Sequence, residues 1–271
     1  MKISLLMSVY HGEKSEYFDL AMHSIWTNQT LKPDQIVMVI DGNLTRDLYS
    51  VLDDWKATLG SILTIVQLQS NIGLGSALEI GLKHCNFELI ARMDTDDISN
   101  SCRFKLQHDF LETHTQVDVV GTFISEINEK GDLIRDVIKY PLSHNEMKRF
   151  FSKRDPLPHV TVMFRQNFFK KTGGYSGELR MAEDTLLWHK GFLSGCKFAN
   201  IPYVGVSVRL TNDFYKRRGD MSKAIGLLRY RLLIINRKHN YGIISDVYAI
   251  LYFLMSISPG FAKKIAYRLF R

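Results

Sequence analysis

The stretch ARMDTDD carries the acidic side chains best suited to chemistry in this sequence. Asp94, Asp96 and Asp97 stand within four positions, directly after an apolar run that begins at Leu89. Carboxylates this close repel one another unless a cation lies between them. Mg²⁺ prefers oxygen ligands and usually takes one or two carboxylates together with phosphate oxygens of a substrate. The motif therefore predicts a metal that binds a phosphorylated ligand, or else a polar turn in which Asp97 or Ser99 caps the next helix.

Polar residues also follow the other strands predicted in the first part of the chain. Apolar runs typical of buried strands lie at Ile3–Val9, Ile36–Ile40, Leu63–Leu68 and Leu89–Met93, with helical patterns between them. This alternation predicts a mostly parallel sheet covered by helices on both faces. Ligands of such sheets bind beyond the carboxyl ends of the strands. We therefore expect a shared nucleotide and metal site formed by Tyr10, Asp41, Asn71 and the acidic cluster.

Several side chains near this edge allow two interpretations. Asp41, in VIDG, suits hydrogen bonds from a base or ribose, or simply forms the turn before Gly42. Arg92 could bind a diphosphate or pair with the acidic cluster. The segment NIGLGSALEIGL offers backbone N–H groups to an anion at a helix start. Because its glycines do not form GxGxxG and do not follow the first strand, the pattern does not favour a dinucleotide site.

The pattern becomes mixed after the acidic cluster. It predicts a helix at Arg103–Thr113, a strand at Val117–Phe123, a hairpin over Ser125–Lys139 and a strand at Val160–Phe164. His159 could bind metal or phosphate, or hold its loop through hydrogen bonds. In the segment MAEDTLLWHKGFL, Glu183 and Asp184 begin a helix. They either complement the helix dipole or, if the site faces this helix, supply Asp184 as general base for an acceptor hydroxyl.

The composition of the chain indicates which classes of partner it could bind and in which compartment it works. The chain of 271 residues has a net charge of +7 and a pI of about 9.2, which favours phosphates, anionic lipid or nucleic acid as partners. No aromatic and basic recognition motif accompanies this charge, so we predict no nucleic-acid partner. Three cysteines without a CxxC motif fit a reduced cytosolic setting. The N-terminus does not have the pattern of a signal peptide, and Ile243–Ile257, interrupted by Asp246, is too short to span a membrane.

Taken together, these motifs resemble the family-2 glycosyltransferases with the GT-A fold. Val9-Tyr10, VIDG, NIGLGSALEIGL, ARMDTDD, GGY and AED occur in the order and spacing of that family. The resemblance covers roughly residues 1–218 and is closest to bacterial enzymes that build exopolysaccharide, capsule or O-antigen repeat units. It implies an α/β fold and inverting transfer of a sugar from a nucleoside diphosphate donor, usually UDP-linked, with Mg²⁺ or Mn²⁺.

The resemblance also implies roles for particular residues. Val9 and Tyr10 line the nucleoside pocket, and Asp41 holds the base or ribose. Asp94 and Asp96 form the DxD pair, with Asp96 the more direct metal ligand. Asp184 matches the catalytic base. Arg218 and Arg217, in the segment YKRRG, either hold a diphosphate or form a solvated basic turn.

Two departures from the family pattern bear on these roles. His159 precedes Val160-Thr161 where many relatives have HPT or HPS, which leaves the shape of that loop open. No QxxRW segment follows Asp184, and this argues against a processive, membrane-embedded synthase. A sugar-phosphate nucleotidyltransferase is a weaker alternative, because the segment after the first strand, HGEKSEY, holds only one glycine. A non-catalytic sugar-nucleotide-binding protein is the third alternative.

The chain is predicted to divide into a catalytic domain and a helical extension. Residues 1–218 form the catalytic domain, with the nucleotide-sugar half at 1–123 and the acceptor half at 124–218, and residues 219–271 form the extension. The extension ends in the basic amphipathic pattern FAKKIAYRLFR, which suits an anionic membrane surface as well as packing against protein. We therefore expect a cytoplasmic enzyme at the inner face of the bacterial plasma membrane, acting on a lipid-linked glycan acceptor.

Overall fold

The computed structural model describes residues 1–179, 182–211 and 221–258. Within these ranges the strands form one sheet of nine, in the order β3-β2-β1-β4-β8-β6-β9-β5, with β7 paired to β6. The strands are β1 (Ile3–Val9), β2 (Gln35–Ile40), β3 (Leu63–Gln67), β4 (Leu89–Arg92), β5 (Ile98–Ser99), β6 (Val119–Ile127), β7 (Leu133–Ile138), β8 (Met163–Arg165) and β9 (Phe198–Arg209). The sheet is therefore parallel on one side and mixed on the other.

Helices lie against the sheet and at the end of the chain. They are α1 (Ser15–Ile25), α2 (Arg46–Leu59), α3 (Leu74–Leu82), α4 (Arg103–Thr113), α5 (His144–Phe151), α6 (Gln166–Thr172), α7 (Glu183–Leu193), α8 (Met221–Tyr230), α9 (Asn236–Lys238) and α10 (Ile243–Ile257). A π-helical turn spans Arg231–Ile235, and 3₁₀ turns span Gly60–Ile62 and His159–Thr161. None of the helices in the described ranges is long and apolar enough to cross a bilayer.

The parallel side of the sheet follows the predicted alternation of strands and helices. Strand β1 pairs in parallel with β2 and β4, and β2 pairs in parallel with β3. Strands β1 and β2 are buried on both faces, as their continuous apolar sequences require. Because the strand order reverses beside β1, its carboxyl end and that of β4 form the topological switch point. This is the edge at which the acidic cluster was predicted.

Helix α3 packs close to the sheet at Gly81. A Cβ atom there would lie 2.5 Å from Val39 and 2.6 Å from Leu6. These contacts are shorter than van der Waals distance, so only glycine lets the helix backbone approach the strands this closely. The last turn of α3 is thereby held directly against β1 and β2.

The mixed side of the sheet differs from the sequence prediction at one strand. The hairpin over Ser125–Lys139 is confirmed as β6 and β7, which pair antiparallel. The strand predicted at Val160–Phe164 is wrong in its first half, because a 3₁₀ turn occupies His159–Thr161 and β8 begins only at Met163. The turn is stabilised by Thr161, whose hydroxyl and amide both donate to the Pro158 carbonyl at 2.8 and 2.9 Å.

The C-terminal helices pack against the catalytic part of the chain. Ile235 is fully buried in a hydrophobic cluster that also contains Phe151, Trp188 and Phe192. Tyr241 donates a hydrogen bond to the Lys148 carbonyl at 2.6 Å. The segment from α8 to the start of α10 is therefore attached to α5 and α7. The basic pattern FAKKIAYRLFR lies outside the described residues.

Candidate active site

The ends of β1 and β2 are joined by backbone hydrogen bonds. The Asp41 amide donates to the Val9 carbonyl at 2.8 Å, and Val9 is fully buried. Tyr10 follows at the same edge, half-buried, with its ring edge-on to His11. The sequence prediction that Val9, Tyr10 and Asp41 share one edge of the sheet agrees with this arrangement.

Asp41 holds the loop that follows β3. Its two carboxylate oxygens accept hydrogen bonds from the amides of Ile72 at 2.8 Å and Gly73 at 3.1 Å, and Asn71 donates to its carbonyl at 3.4 Å. Asp41 is buried, so these bonds offset the cost of removing its charge from water. The carboxylate therefore fixes the loop leading into α3, in addition to any bond it makes to a nucleoside.

The three acidic residues after β4 do converge. One carboxylate oxygen from each of Asp94, Asp96 and Asp97 lies within 4.8 Å of the others. Asp97 is buried, and burial raises its pKa well above the ordinary value, with further increases from Asp96 and Asp94. Mutual repulsion in so small a space suits a divalent cation with oxygen ligands. The geometry fits the predicted metal ligands Asp94 and Asp96, with Asp97 beside them.

Arg209, at the end of β9, fixes the acidic motif. Its backbone amide donates to Asp97 Oδ1 at 2.7 Å, and its Nε donates to the Asp96 carbonyl at 3.0 Å. Its guanidinium also lies 4.2 Å from the centre of the Tyr17 ring. The sequence analysis missed this residue, because an arginine at a strand end more than a hundred positions away carries no local signal.

Arg92 is a buried cation at the centre of the site. It forms an ion pair with Asp94 and is 2% exposed. Burial lowers its pKa, but Asp94, together with Tyr175 and Glu183, outweighs that effect and the net shift of the pKa is upward. Its Nε and Nη1 atoms have no hydrogen-bond partner within the described residues. Both alternatives for Arg92 therefore remain compatible with the geometry: it pairs with the cluster, and it retains donors suited to an anion.

Arg92 is kept in place by a second buried arginine. Arg103 Nη2 donates to the Arg92 carbonyl at 2.6 Å, and its Nε donates to Gln107 Oε1 at 3.1 Å. Burial lowers the pKa of Arg103 to about 9, with a further decrease from the nearby Arg92 charge. The backbone at Arg92, which directly precedes the acidic cluster, is therefore hydrogen-bonded to α4.

The start of α7 faces this edge of the sheet. A Cβ atom at Gly75 would lie 2.8 Å from the Ser176 carbonyl and 3.0 Å from the Glu183 Cβ, so the starts of α3 and α7 are in close contact. Burial raises the pKa of Glu183, and the Asp94 charge raises it further, whereas the Arg92 charge lowers it. The Glu183 Oε2 atom has no hydrogen-bond partner among the described residues. Asp184 is less buried and accepts from the Thr185 amide at 2.8 Å. The helix start therefore lies within electrostatic reach of the acidic cluster.

His159 lies outside the group of three carboxylates. Its Nε2 is 2.9 Å from the Tyr175 hydroxyl, and burial lowers its pKa well below the ordinary value, with a further decrease from Arg92. The sequence allowed His159 either to bind metal or phosphate or to hold its loop through hydrogen bonds, and this geometry favours the second role. Its role as a metal ligand stays a prediction. Arg218 lies outside the described residues.

Comparison with known proteins identifies the family. The family model described as glycosyl transferase family 2 matches residues 4–173. The chain is 33% identical over 229 residues to the UDP-Gal:alpha-D-GlcNAc-diphosphoundecaprenol beta-1,3-galactosyltransferase of Escherichia coli, covering 84% of this chain and 81% of that protein. It is 38% identical over 217 residues to the amylovoran biosynthesis glycosyltransferase AmsE of Erwinia amylovora, covering 80% of this chain and 79% of that protein.

Solved structures confirm the fold. The structure of S. aureus TarS 1–349 in complex with UDP-GlcNAc matches with a TM-score of 0.64 and 19% identity, over 95% of this chain and 82% of that one. The mannosyltransferase PcManGT from Pyrobaculum calidifontis, in complex with GDP-Man and Mn²⁺, matches with a TM-score of 0.67 and 15% identity, over 100% of this chain and 76% of that one. The predicted α/β fold of GT-A type is therefore confirmed, and the chain belongs to the family-2 glycosyltransferases.

Proposed function

We propose that this glycosyltransferase transfers one sugar, with inversion, from a UDP-sugar to a lipid-linked glycan in bacterial surface polysaccharide biosynthesis. The observation that carries the proposal is the convergence of the acidic cluster and the Glu183-Asp184 helix start around the buried Arg92. Donor activation and acceptor deprotonation would then take place at one edge of the sheet. The Escherichia coli relative, whose name specifies a UDP-sugar donor and a diphosphoundecaprenol acceptor, supports the same substrate classes.

The donor half of the reaction is assigned to the ends of β1, β2 and β4. Asp94 and Asp96 would hold Mg²⁺ or Mn²⁺, which stabilises the negative charge of a departing diphosphate when bound. Arg92 would add a fixed positive charge beside them. Val9, Tyr10, Asp41 and Asn71 would line the nucleoside pocket, with Asp41 acting chiefly by holding the loop before α3.

The acceptor half is assigned to the start of α7. Asp184 would accept the proton of the acceptor hydroxyl, since a carboxylate held near that group can act as general base. The attacking oxygen then approaches the sugar opposite the diphosphate, which produces inversion. Burial raises the pKa of Glu183, so less of this side chain is in the ionised form that a general base needs.

The first experiment screens UDP- and GDP-sugars for thermal stabilisation and for metal-dependent transfer to a lipid diphosphate-linked acceptor. We expect UDP with Mn²⁺ to stabilise the protein and one UDP-sugar to be consumed only when metal and acceptor are present. EDTA should abolish both effects, and excess Mg²⁺ or Mn²⁺ should restore them. Absence of stabilisation by any nucleoside diphosphate would contradict the proposal.

We further propose that α10 associates with the anionic inner face of the plasma membrane. Ile243 and Ile244 are 79% and 71% exposed, and Val247, Leu251 and Leu254 continue the exposed apolar surface. The acidic Asp246 is paired with Arg237 at 2.8 Å, so it does not oppose an anionic surface. Lys153, whose ammonium group lies 5.0 Å from the centre of the Tyr248 ring, places a basic group beside this surface. Apolar side chains beside a basic group favour an anionic bilayer surface over neutral lipid.

Vesicle flotation tests the membrane proposal. The protein should float with vesicles containing phosphatidylglycerol and less with pure phosphatidylcholine, and Ile244→Glu should weaken this binding about tenfold. Leu20→Glu, an equivalent substitution on the exposed face of α1, is the matched control and should leave binding unchanged. Equal flotation of wild type and Ile244→Glu would overturn the assignment of α10.

A further inference from the structure

A chain of hydrogen bonds joins the C-terminal helices to the start of α7. Arg231 Nη2 donates to Asp155 Oδ1 at 3.1 Å. The other carboxylate oxygen of Asp155 accepts from the Thr185 hydroxyl at 2.7 Å. The Thr185 amide in turn donates to Asp184 Oδ1 at 2.8 Å. Arg231 and Asp155 therefore connect the C-terminal segment to Thr185, whose side-chain hydroxyl binds Asp155 and whose backbone amide binds the carboxylate assigned as general base.

Arg231 is itself held rigidly. Its Nη1 donates to the Phe151 carbonyl at 3.1 Å, and its guanidinium lies 5.2 Å from the centre of the Phe151 ring. Its side chain is 7% exposed, so the ion pair with Asp155 is shielded from water on the arginine side. Only the planar, forked guanidinium can bind a carbonyl and a carboxylate at once in fixed directions. A lysine keeps the charge but lacks this planar fork, so Arg231→Lys should lower kcat less than Arg231→Met does.

The backbone at Arg231 is also unusual. A π-helical turn begins there and continues to Ile235, whose side chain is buried beneath α5 and α7. π-helical turns are rare in proteins, and many of those that occur lie at functional sites. Here the turn presents Arg231 to Asp155 while Ile235 stays in the hydrophobic cluster.

We propose that Arg231 is a positioning residue for glycosyl transfer, acting through Asp155 and Thr185 to fix the orientation of the Asp184 carboxylate. The inference rests on the proposed function, in which Asp184 is the general base. It assigns to the C-terminal helices a role in the chemical step that is separate from contact with a membrane. It also explains why this segment is attached to α5 and α7 by polar side chains as well as by apolar packing.

The charges along this chain make the proposal testable through the pH profile. Burial raises the pKa of Glu183, and the negative charges of Asp94 and Asp155 raise it further, so the charge of Asp155 acts on the carboxylates at the start of α7. The same charge disfavours ionisation of the neighbouring Asp184, the assigned general base, and this ionisation sets the acid limb of kcat. Removing the Arg231 charge leaves Asp155 uncompensated, so the acid limb of kcat should move to higher pH. Removing the Asp155 charge should move the same limb to lower pH. A role confined to stability would produce no such pair of opposite shifts.

The experiment compares Arg231→Met, Arg231→Lys, Asp155→Asn and the double variant, assayed in the full-length protein with a soluble acceptor analogue. We expect Arg231→Met and Asp155→Asn to lower kcat about 10- to 100-fold, with the donor KM changed less than about threefold. The acid limb should shift by roughly half a pH unit in opposite directions. The double variant should lose less than the product of the single losses, because the two residues act on one another.

Three further variants keep the test decisive if Arg231→Met does not fold. Thr185→Val should reproduce the loss in kcat, and Thr185→Ser, which keeps the hydroxyl, should retain most of the activity. Arg237→Met removes an exposed arginine that pairs with Asp246 in the same segment, and it should behave as wild type. If Arg231→Met does not fold, Arg231→Lys, Asp155→Asn and the Thr185 pair decide the question.

The outcomes separate this inference from the proposed function. A folded Arg231→Met or Asp155→Asn with kcat within about twofold of wild type would overturn the positioning role. Losses in kcat with no opposite shift of the acid limb, and with equal loss at Thr185→Ser, would also overturn it. By contrast, a wild-type protein that transfers no sugar, or an active Asp184→Asn, would contradict the proposed function itself.

Discussion

The donor edge and the start of α7 are built in different ways. At the donor edge, parallel strands bring Val9, Asp41 and Asp94 together, and backbone hydrogen bonds hold the ends of β1 and β2. At the start of α7, Asp184 accepts from the Thr185 amide, and the Thr185 hydroxyl is bound by the side chain of Asp155 from a distant segment. Backbone topology is robust to single substitutions, whereas a chain of side-chain bonds is broken by the loss of one member. Substitutions outside the ligands themselves should therefore be tolerated better at the donor edge than around α7.

Asp96→Asn should produce the largest effect at the donor edge. It removes the carboxylate assigned the most direct contact with the metal, and we expect kcat/KM to fall about 10³-fold because a bound cation contributes several kcal/mol to charge stabilisation. Thermal stabilisation by UDP with Mn²⁺ should be lost as well. Steady-state kinetics and thermal shifts measure the two effects. Retained metal-dependent stabilisation would show that Asp96 is not a ligand.

Asp41→Asn should have a smaller effect, spread over donor binding and stability. The variant amide can accept only through its oxygen and opposes an N–H group with its nitrogen, so one of the bonds to Ile72 and Gly73 is lost. We expect the free energy of unfolding to fall by about 2 kcal/mol and the donor KM to rise about tenfold as the loop before α3 loosens. Denaturant unfolding and donor titration give both values. A normal KM in a destabilised variant would limit Asp41 to a structural role.

The smallest expected effect is a pH dependence at the contact between α7 and the C-terminal helices. His189 Nδ1 lies 3.0 Å from His239 Nε2. Burial lowers the pKa of both, that of His239 to about 4. Because these folded-state values lie below the ordinary 6.5, the unfolded chain binds more protons in the window between them. Stability should therefore fall as pH falls from about 6.5 towards 4.

A variant separates this contribution from the general acid sensitivity of the protein. His239→Gln removes one of the two titrating groups and should reduce the decrease in Tm between pH 7 and pH 5 by about 3 °C. The control is His84→Gln, which replaces a histidine far from this contact in the chain. An identical pH dependence of Tm in wild type and His239→Gln would show that the pair contributes nothing to acid sensitivity.

The placement of the predicted site residues at one edge of the sheet could be inferred from the sequence because the signals for it are local. Strand ends followed by Tyr10, Asp41 and the acidic cluster could be placed together by the rules of parallel sheets alone. The contacts that complete the site are not local. Arg209 meets Asp97 across 112 positions, and Arg231 meets Asp155 across 76. No periodicity or motif marks such pairs in a single sequence, since they depend on the packing of β9 and the C-terminal helices.

The prediction also failed where a local rule competed with tertiary context. The apolar run Val160–Phe164 has the composition of a buried strand, yet bonds from Thr161 to the Pro158 carbonyl turn its first residues into a 3₁₀ turn. That turn directs His159 towards Tyr175. The division of the chain at residue 218 stays a prediction, although the burial of Ile235 shows that the later helices share a hydrophobic cluster with α5 and α7.

The most direct test of the central claim compares Asp184→Asn with wild type in two assays, UDP–Mn²⁺ binding and sugar transfer. The account places Asp184 on the acceptor side, where it takes a proton and does not hold the donor. We therefore expect binding within about twofold of wild type and a fall in kcat of about 10²- to 10⁴-fold. Unchanged transfer, or a loss of UDP–Mn²⁺ binding as large as the loss of transfer, would contradict the account.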